Sequence, residues 1–376
     1  MEVEGREDVA LLLLVGEGGA SPVEAKVTRA RQAAGRDLLE TLLGTGRVGR
    51  AVVATDDADW AATLDDLPVD VDLDPQELTF HFGRRLAELI ERYQPERLLY
   101  TGGGSAPLMR PCDWKAALDR LAEPGPVLVT NNLHSSDWVA LRSPAAALPL
   151  IADQARDNGL AWTLARHGPF RAAALPPSAA SRFDLDTPAD LLVARAHPGT
   201  GPHLRGMLDG LDWPQDGVEG VLAVMAQEGA HLTVIGRSSS TAWSALERET
   251  QCWVRLLAEE RGMIASGRLA RGDVRSLLND YLEQVGVEGF FDRLASLADA
   301  ALFDSRVILG AQGLWPSAQD RFNADLLRWE RVEEPFLRDF ARAAAGAGIP
   351  MLLGGQSVVA GGLMGLVEVL RERRVG

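Results

Sequence analysis

Arg182-Phe183-Asp184-Leu185-Asp186-Thr187-Pro188-Ala189-Asp190-Leu191 carries two structural signals in succession. Phe183 and Leu185 read as apolar positions of a short strand, so Asp184 and Asp186, two apart, project from the same face. Two carboxylates side by side repel unless something positive sits between them. Thr187 then suits a helix cap, Pro188 its first turn, and Asp190 stands three past Thr187 in a variant of the capping box. The stretch is a strand-to-helix joint, and such joints present their side chains at the carboxyl edge of the sheet, where open α/β sheets keep their ligands. The competing reading is a capped surface turn whose acids serve no ligand.

Upstream, residues 9–15 form a continuous apolar run, as in a strand of a parallel sheet covered on both faces. The run enters Gly16-Glu17-Gly18-Gly19-Ala20-Ser21-Pro22, where glycine lets the backbone approach a ligand, with Lys26 placed in the same loop. A helix is expected over 37–43, a strand over 50–55, an amphipathic helix over 75–93 and a strand over 97–100. Then come the loop Gly102-Gly103-Gly104-Ser105-Ala106-Pro107-Leu108, a helix over 111–121 and a strand over 126–130. The polar loop Asn131-Asn132-Leu133-His134-Ser135-Ser136-Asp137 follows, and Arg166 and His167 precede a further strand over 170–175. This alternation predicts an open α/β sheet whose loops 16–26, 102–108, 131–137 and 184–187 meet at one edge.

Downstream, His197-Pro198-Gly199-Thr200-Gly201-Pro202 marks a boundary, giving expected domains 1–200 and 201–376. Strands are expected over 231–235, 252–258, 301–309 and 349–353, each ending in a glycine-bearing loop, with helices over 274–285, 289–298 and 335–345. This is a second, smaller three-layer α/β unit. Its loops offer a possible second site at Arg237, Ser238, Glu260 and Gln356, with Arg237 suited to bidentate contact with an anion. Asp304 and Arg306, two apart in the expected strand, share a face. The glycine-rich segment 354–370 predicts a final helix packed closely against the sheet or against another subunit, and an apolar stripe exposed there would make a homodimer.

Composition narrows the function classes. The net charge is -15, and residues 301–376 hold nine acids and nine bases, so the whole acidic excess lies in the first 300. That balance speaks against nucleic-acid binding, which needs a basic footprint. Cys112 and Cys252 are the only cysteines, too few and too far apart for a disulfide framework or a structural zinc site, and the cytoplasm is the expected compartment. The apolar run after the acidic start lacks the basic flank and length of a signal peptide, and no stretch reaches a membrane span. Lys26 is one of two lysines, the other being Lys115, among 38 basic residues.

The first two hundred residues resemble the GT-A-like nucleotidyltransferase superfamily, closest to the molybdenum-cofactor guanylyltransferases and the 2-phospho-L-lactate guanylyltransferases. The resemblance rests on Val15-Gly16-Glu17-Gly18-Gly19 with Lys26, on Gly103-Gly104-Ser105-Ala106-Pro107-Leu108, and on Asp184-Leu185-Asp186-Thr187-Pro188-Ala189-Asp190-Leu191. It implies a Rossmann-like sheet with helices on both faces, a nucleoside triphosphate and a small phosphorylated molecule as partners, and Mg²⁺ or Mn²⁺ as cofactor. By that resemblance Gly16, Gly18, Gly19, Gly103, Ser105, Asn131 and Asn132 bind nucleotide and phosphate, and Arg182 holds the acceptor. Lys26 neutralises phosphate charge, and Asp184 and Asp186 hold the metal. Ser105 stands where the family places a metal-binding aspartate, and a neutral hydroxyl is a poor substitute for a hard anionic ligand. Two functions therefore stay open: transfer of a nucleoside monophosphate with release of pyrophosphate, or a catalytically weakened ligand-binding or scaffolding protein that retains the fold. Within the first, a variant places the working site in the second half, on Glu259, Glu260, Arg261 and Arg237.

Overall fold

The computed structural model describes residues 8–375 except 17, 20 and 75–78; Glu17 and the start of the helix expected at 75 thus lie outside the described residues. The chain forms two compact units. One contains the described residues among 1–17 with Arg31–Ser181 and Gly201–Leu204, and the other contains the described residues of 18–30 and 205–376 with Arg182–Thr200. The units are thus discontinuous in sequence and differ from a single division at residue 200.

The first unit is built on a seven-stranded sheet of β1 (Val9–Leu14), β2 (Val48–Thr55), β3 (Asp70–Leu73), β4 (Arg97–Gly102), β5 (Val127–Thr130), β6 (Trp138–Arg142) and β7 (Arg171–Ala174). Their order is β3-β2-β1-β4-β6-β5-β7. β6 runs antiparallel to β4 and β5, and the other pairs are parallel. This is the open, mostly parallel α/β sheet that the apolar runs predict; β3 and β6 are the strands they did not.

β1 is central because its run is apolar on both faces. Leu11 and Leu13 pack with Trp114 and Trp138 on one side, while Leu12 packs with Val52, Leu86 and Tyr100 on the other. Leu11, Leu12 and Leu13 are each 0% exposed, and burying a leucine contributes roughly 1.5–3 kcal/mol. A charge at any of the three would leave an unpaired ion between sheet and helices.

The second unit holds a smaller parallel sheet of β8 (His231–Gly236), β9 (Trp253–Ala258), β10 (Ala300–Asp304) and β11 (Met351–Gly354), in the order β11-β10-β8-β9. Ile235, Phe303 and Leu353 turn to one face, where Phe290, Phe291 and Phe340 fill the core. Phe291 and Phe340 meet edge to face at 4.9 Å between ring centroids, an arrangement the ring quadrupole favours. Leu232, Val234, Leu302 and Leu352 are buried on the opposite face.

Three expectations need correction. Lys26 is not in a loop: the first helix begins at Pro22 and runs to Gly44, so Lys26 lies in its second turn. The strand expected at 301–309 ends at Asp304, and Arg306 opens the helix Arg306–Ala311, so the two charges do not share a strand face. Before Asp184 the chain forms the short helix Ala179–Arg182, and strand pairing is limited to a bridge at Asp184. The closing helix Gly361–Val375 is closely packed, as its glycine-rich sequence predicts: Leu363, Leu366, Val367 and Leu370 are all buried.

Candidate functional site

In the first unit, the loops after β4 and β5 are stitched together. A Cβ on Gly103 would lie 2.7 Å from Val15 Cγ2 and 3.0 Å from the Arg31 carbonyl, so only glycine lets this turn approach the end of β1. Ser105 is 7% exposed, and its hydroxyl donates to the Asp137 carbonyl at 3.0 Å. Asn131, 1% exposed, accepts the Asp137 N–H at 3.0 Å on its side-chain oxygen and donates its amide to the Asp137 carboxylate. Asn132 accepts the His134 N–H at 3.2 Å in an Asx turn. Three of the expected binding residues thus hold loop shape, and Asp137 is the hub of two of their bonds. Asp113 is held by Arg110 at the cap of its helix. Gly16 follows β1 and faces Asp56, with 3.9 Å between its would-be Cβ and the carboxylate.

Asp37, Glu40 and His203 can bring one ligand atom each within 4.8 Å of one another. Their bonds already explain the grouping. Both Asp37 oxygens accept N–H groups, from His203 at 3.0 Å and Leu204 at 2.9 Å, at the start of the helix Pro202–Asp209. Arg36 donates to Glu40 and to His203. This is a helix cap with a guanidinium already in place.

In the second unit, burial alternates along the opening stretch: Phe183 and Leu185 are buried, Asp184 is half-buried and Asp186 exposed. The two acids share the open face, as their spacing predicts. Behind them lies Asp190, 0% exposed. One of its oxygens accepts N–H groups from Asp186 at 3.0 Å and Thr187 at 2.7 Å, and the Thr187 hydroxyl at 2.9 Å. Burial, and secondarily the charge of Asp186, push its carboxyl up to about 7, against the opposing pull of the Ser357 and Thr187 groups.

The last fifth of the chain buttresses this joint. A Cβ on Gly354 would meet Ala189 Cβ at 3.0 Å, one on Gly355 would meet Thr187 at 3.3 Å, and one on Gly361 would lie 2.0 Å from the Arg182 carbonyl oxygen. Local sequence carries no sign of these contacts. Arg182 is half-buried at the end of its short helix.

Lys26 donates to Asp212 at 2.6 Å and lies 5.6 Å over the Trp213 ring. The ammonium holds the Asp212 carboxyl below its ordinary range. Gly18 and Gly19 run tightly along the same helix: a Cβ on Gly18 would collide with Thr28 Oγ1 at 1.7 Å, and one on Gly19 with the Glu24 carboxylate at 1.9 Å. Glu24 also accepts the Ser21 hydroxyl, so an acid stands at the amino end of this helix.

The second loop cluster is largely occupied by itself. Arg237 grips Asp304 bidentately at 2.5 and 3.0 Å, with both side chains buried, so its fork is already filled. Ser238 is buried beside it. Arg306 grips Asp325 at 2.6 Å through each nitrogen, again in the interior. Glu260 pairs with Arg268 at 2.9 Å, Glu259 takes the Ser276 hydroxyl at 2.5 Å, and Gln356 is exposed. Asp325, the partner Arg306 requires, was missed because nineteen residues separate the two.

No family model and no curated protein matches the chain. Among solved structures it is similar to a cytidylyltransferase from Leptospira borgpetersenii serovar Hardjo-bovis, with 12% identity over 54% of this chain and 92% of that one and a TM-score of 0.39. A nucleotidyl transferase from Methanothermobacter thermautotroptrophicus shows 15% identity over 49% of this chain and 94% of that one, TM-score 0.36. A manganese complex of Rv0371C from Mycobacterium tuberculosis shows 16% identity over 54% and 100%, TM-score 0.33. At these scores they are likenesses, and the functional reading rests on the residues.

Proposed function

We propose that the protein transfers a nucleoside monophosphate from a nucleoside triphosphate to a small phosphorylated acceptor. The observation that carries this reading is the pair Asp184 and Asp186, on one open face of a joint fixed from behind by buried Asp190. Two hard oxygen donors at that spacing fit a divalent ion such as Mg²⁺ or Mn²⁺. Such an ion, when bound, lends Lewis acidity and charge neutralisation to phosphoryl chemistry. The chain's own contribution is orientation: the Asp190 carboxyl restrains the Asp186 and Thr187 amides, so the acids need little reordering when a ligand arrives. In this reading Lys26 exchanges Asp212 for a phosphate, Arg182 holds the acceptor anion, and the turn at Gly18 and Gly19 lends backbone N–H groups.

A second reading, ligand binding without turnover, is favoured by Ser105, whose hydroxyl is committed to the Asp137 carbonyl and brings no charge. Thermal unfolding against a panel of nucleoside triphosphates, with and without Mg²⁺, separates the two, together with a pyrophosphate-release assay. Transfer predicts a metal-dependent rise in Tm and release of pyrophosphate, both lost in Asp184→Ala and Asp186→Ala. A metal-independent rise without release means binding alone, and no rise at millimolar nucleotide abolishes both.

A further inference from the structure

A pocket of about 370 Å³ lies within the second unit, walled by the first turn of the helix Pro22–Gly44, by the helix Ala318–Asp325 and by residues 330–333. That volume falls in the range of small-molecule sites. Arg182, Asp184 and Asp186 do not line it.

The walls are fixed by their own hydrogen bonds. The Asp320 carboxylate accepts the N–H groups of Glu333 at 2.9 Å and Glu334 at 3.0 Å, and Arg328 donates its N–H to the Asn323 carbonyl at 2.9 Å. The segment 328–334 is thus tied to the helix Ala318–Asp325 at both ends. Across the pocket, the Ser21 hydroxyl accepts the Glu24 N–H at 3.4 Å and closes the first turn of the other helix.

Asn323 indicates what the pocket receives. It is 4% exposed, and its Nδ2 donates to the Gln319 carbonyl at 2.8 Å, which fixes the amide's orientation and leaves Oδ1 as a pure acceptor. That oxygen lines the pocket side without a hydrogen-bond partner among the described residues, yet it is not sealed from solvent. The side-chain amide of Gln319, one turn earlier on the same helix, is open in the same way and offers both a donor and an acceptor. Val23 and Val332, both buried, add apolar surface from two different elements.

Charge separates the ligand classes. Glu330, Arg331 and Glu333 line the pocket, are exposed, and form no ion pair among the described residues. The other charges on these segments are engaged. Glu24 holds the Ser21 hydroxyl, Lys26 and Arg328 reach Asp212, and Asp320 and Glu334 accept backbone N–H groups. Asp325 holds Arg306, and Arg321 donates to the Pro316 carbonyl and lies over the Trp315 ring. Two carboxylates against one guanidinium disfavour an anionic ligand, whereas apolar surface beside an amide edge suits an uncharged ring bearing N–H and C=O groups. We propose that this pocket binds a nucleobase, free or as its nucleoside, with a ring N–H donating to Asn323 Oδ1, the Gln319 amide completing the edge, and Val23 and Val332 against the ring. The site is separate from the transfer reaction and does not rest on it.

Calorimetric titration of the full chain with cytidine, uridine, adenosine and guanosine tests this. At least one should bind at a single site, and its 5′-monophosphate should bind more weakly. Gln319→Trp, at a partly exposed helix position, fills the pocket and should abolish nucleoside binding while the circular-dichroism spectrum and Tm are kept. Asn323→Leu removes the acceptor and should weaken binding about tenfold or more. Glu330→Gln with Glu333→Gln should leave the nucleoside affinity in place and narrow the gap to the monophosphate. Asp184→Ala should leave nucleoside binding intact, and Mg²⁺-dependent stabilisation by a triphosphate should survive Gln319→Trp, so the two readings fail separately. No binding of any nucleoside, equal binding of N-acetylglycinamide, a peptide amide without a ring, a monophosphate that binds more tightly than its nucleoside, or binding indifferent to Gln319→Trp would each overturn the proposal.

Discussion

Asp190 holds a carboxyl out of water while accepting three hydrogen bonds on one oxygen. Its folded pKa, about 7, lies above that of the unfolded chain, so its contribution is fully present below the unfolded value and lost as pH rises through the folded one. Asp190→Asn keeps the acceptor oxygen and removes the titration. The variant should therefore gain on the wild type between pH 4 and 8, by up to about 4 kcal/mol. Parallel stability curves from denaturant titrations at several pH values would refute this. Arg306 and Asp325 behave differently because each neutralises the other inside the core. Asp325→Ala strands a buried guanidinium and should cost about 3–5 kcal/mol, whereas replacing both residues with apolar side chains of similar volume should cost far less. A double variant as unstable as the single one would sink that account. The cap at Thr187 and Asp190 was legible because four consecutive residues write it. The burial of Asp190 was not, because the residues packed against this joint, Gly354 beside Ala189 and Gly355 beside Thr187, come from far along the chain.

Elements were legible where the apolar pattern was unambiguous. β1 followed from its run alone, as did β8. The run 301–309 was misread because a buried strand and a buried helix segment are both apolar, and the polar break Asp304-Ser305-Arg306 between them, whose Asp and Ser suit a turn, reads equally as alternating positions of one strand. The first helix was underestimated because its opening turn lies next to glycines that suggested a loop. Glycines also make separable predictions. Gly361→Ala drives a methyl into the Arg182 backbone, and Gly103→Ala forces Val15 and the Arg31 carbonyl aside. Each should lose about 1–3 kcal/mol, with Gly361→Ala the worse because backbone cannot swing away. Gly206→Ala, on a helix with nothing within 4 Å, should gain about 0.5–1 kcal/mol. Chemical denaturation of the three variants checks the ranking, and equal effects would show that the close approaches do not matter.

Across the whole molecule, contacts of long sequence separation decide how the candidate site is held. Gly361 meets Arg182, and the β11 loop meets Thr187 and Ala189. Removing residues 361–376 should thus lower hydrogen-exchange protection at the Asp186 and Thr187 amides, although both donors and their acceptor remain. Unchanged protection would mean that the joint stands on its own cap. The alternating apolar runs by themselves determined two α/β sheets, because strand and helix periods are local properties of the chain. The shared face of Asp184 and Asp186 was determined in the same way, by a spacing of two. Tertiary structure alone decided that Ser105 and Asn131 bind Asp137, that Arg237 is filled by Asp304, and that Lys26 meets Asp212. Apart from Asn131 and Asp137, six apart in one loop, those pairings join residues distant in sequence, and whether a polar side chain is left for a ligand depends on which partner the fold carries to it.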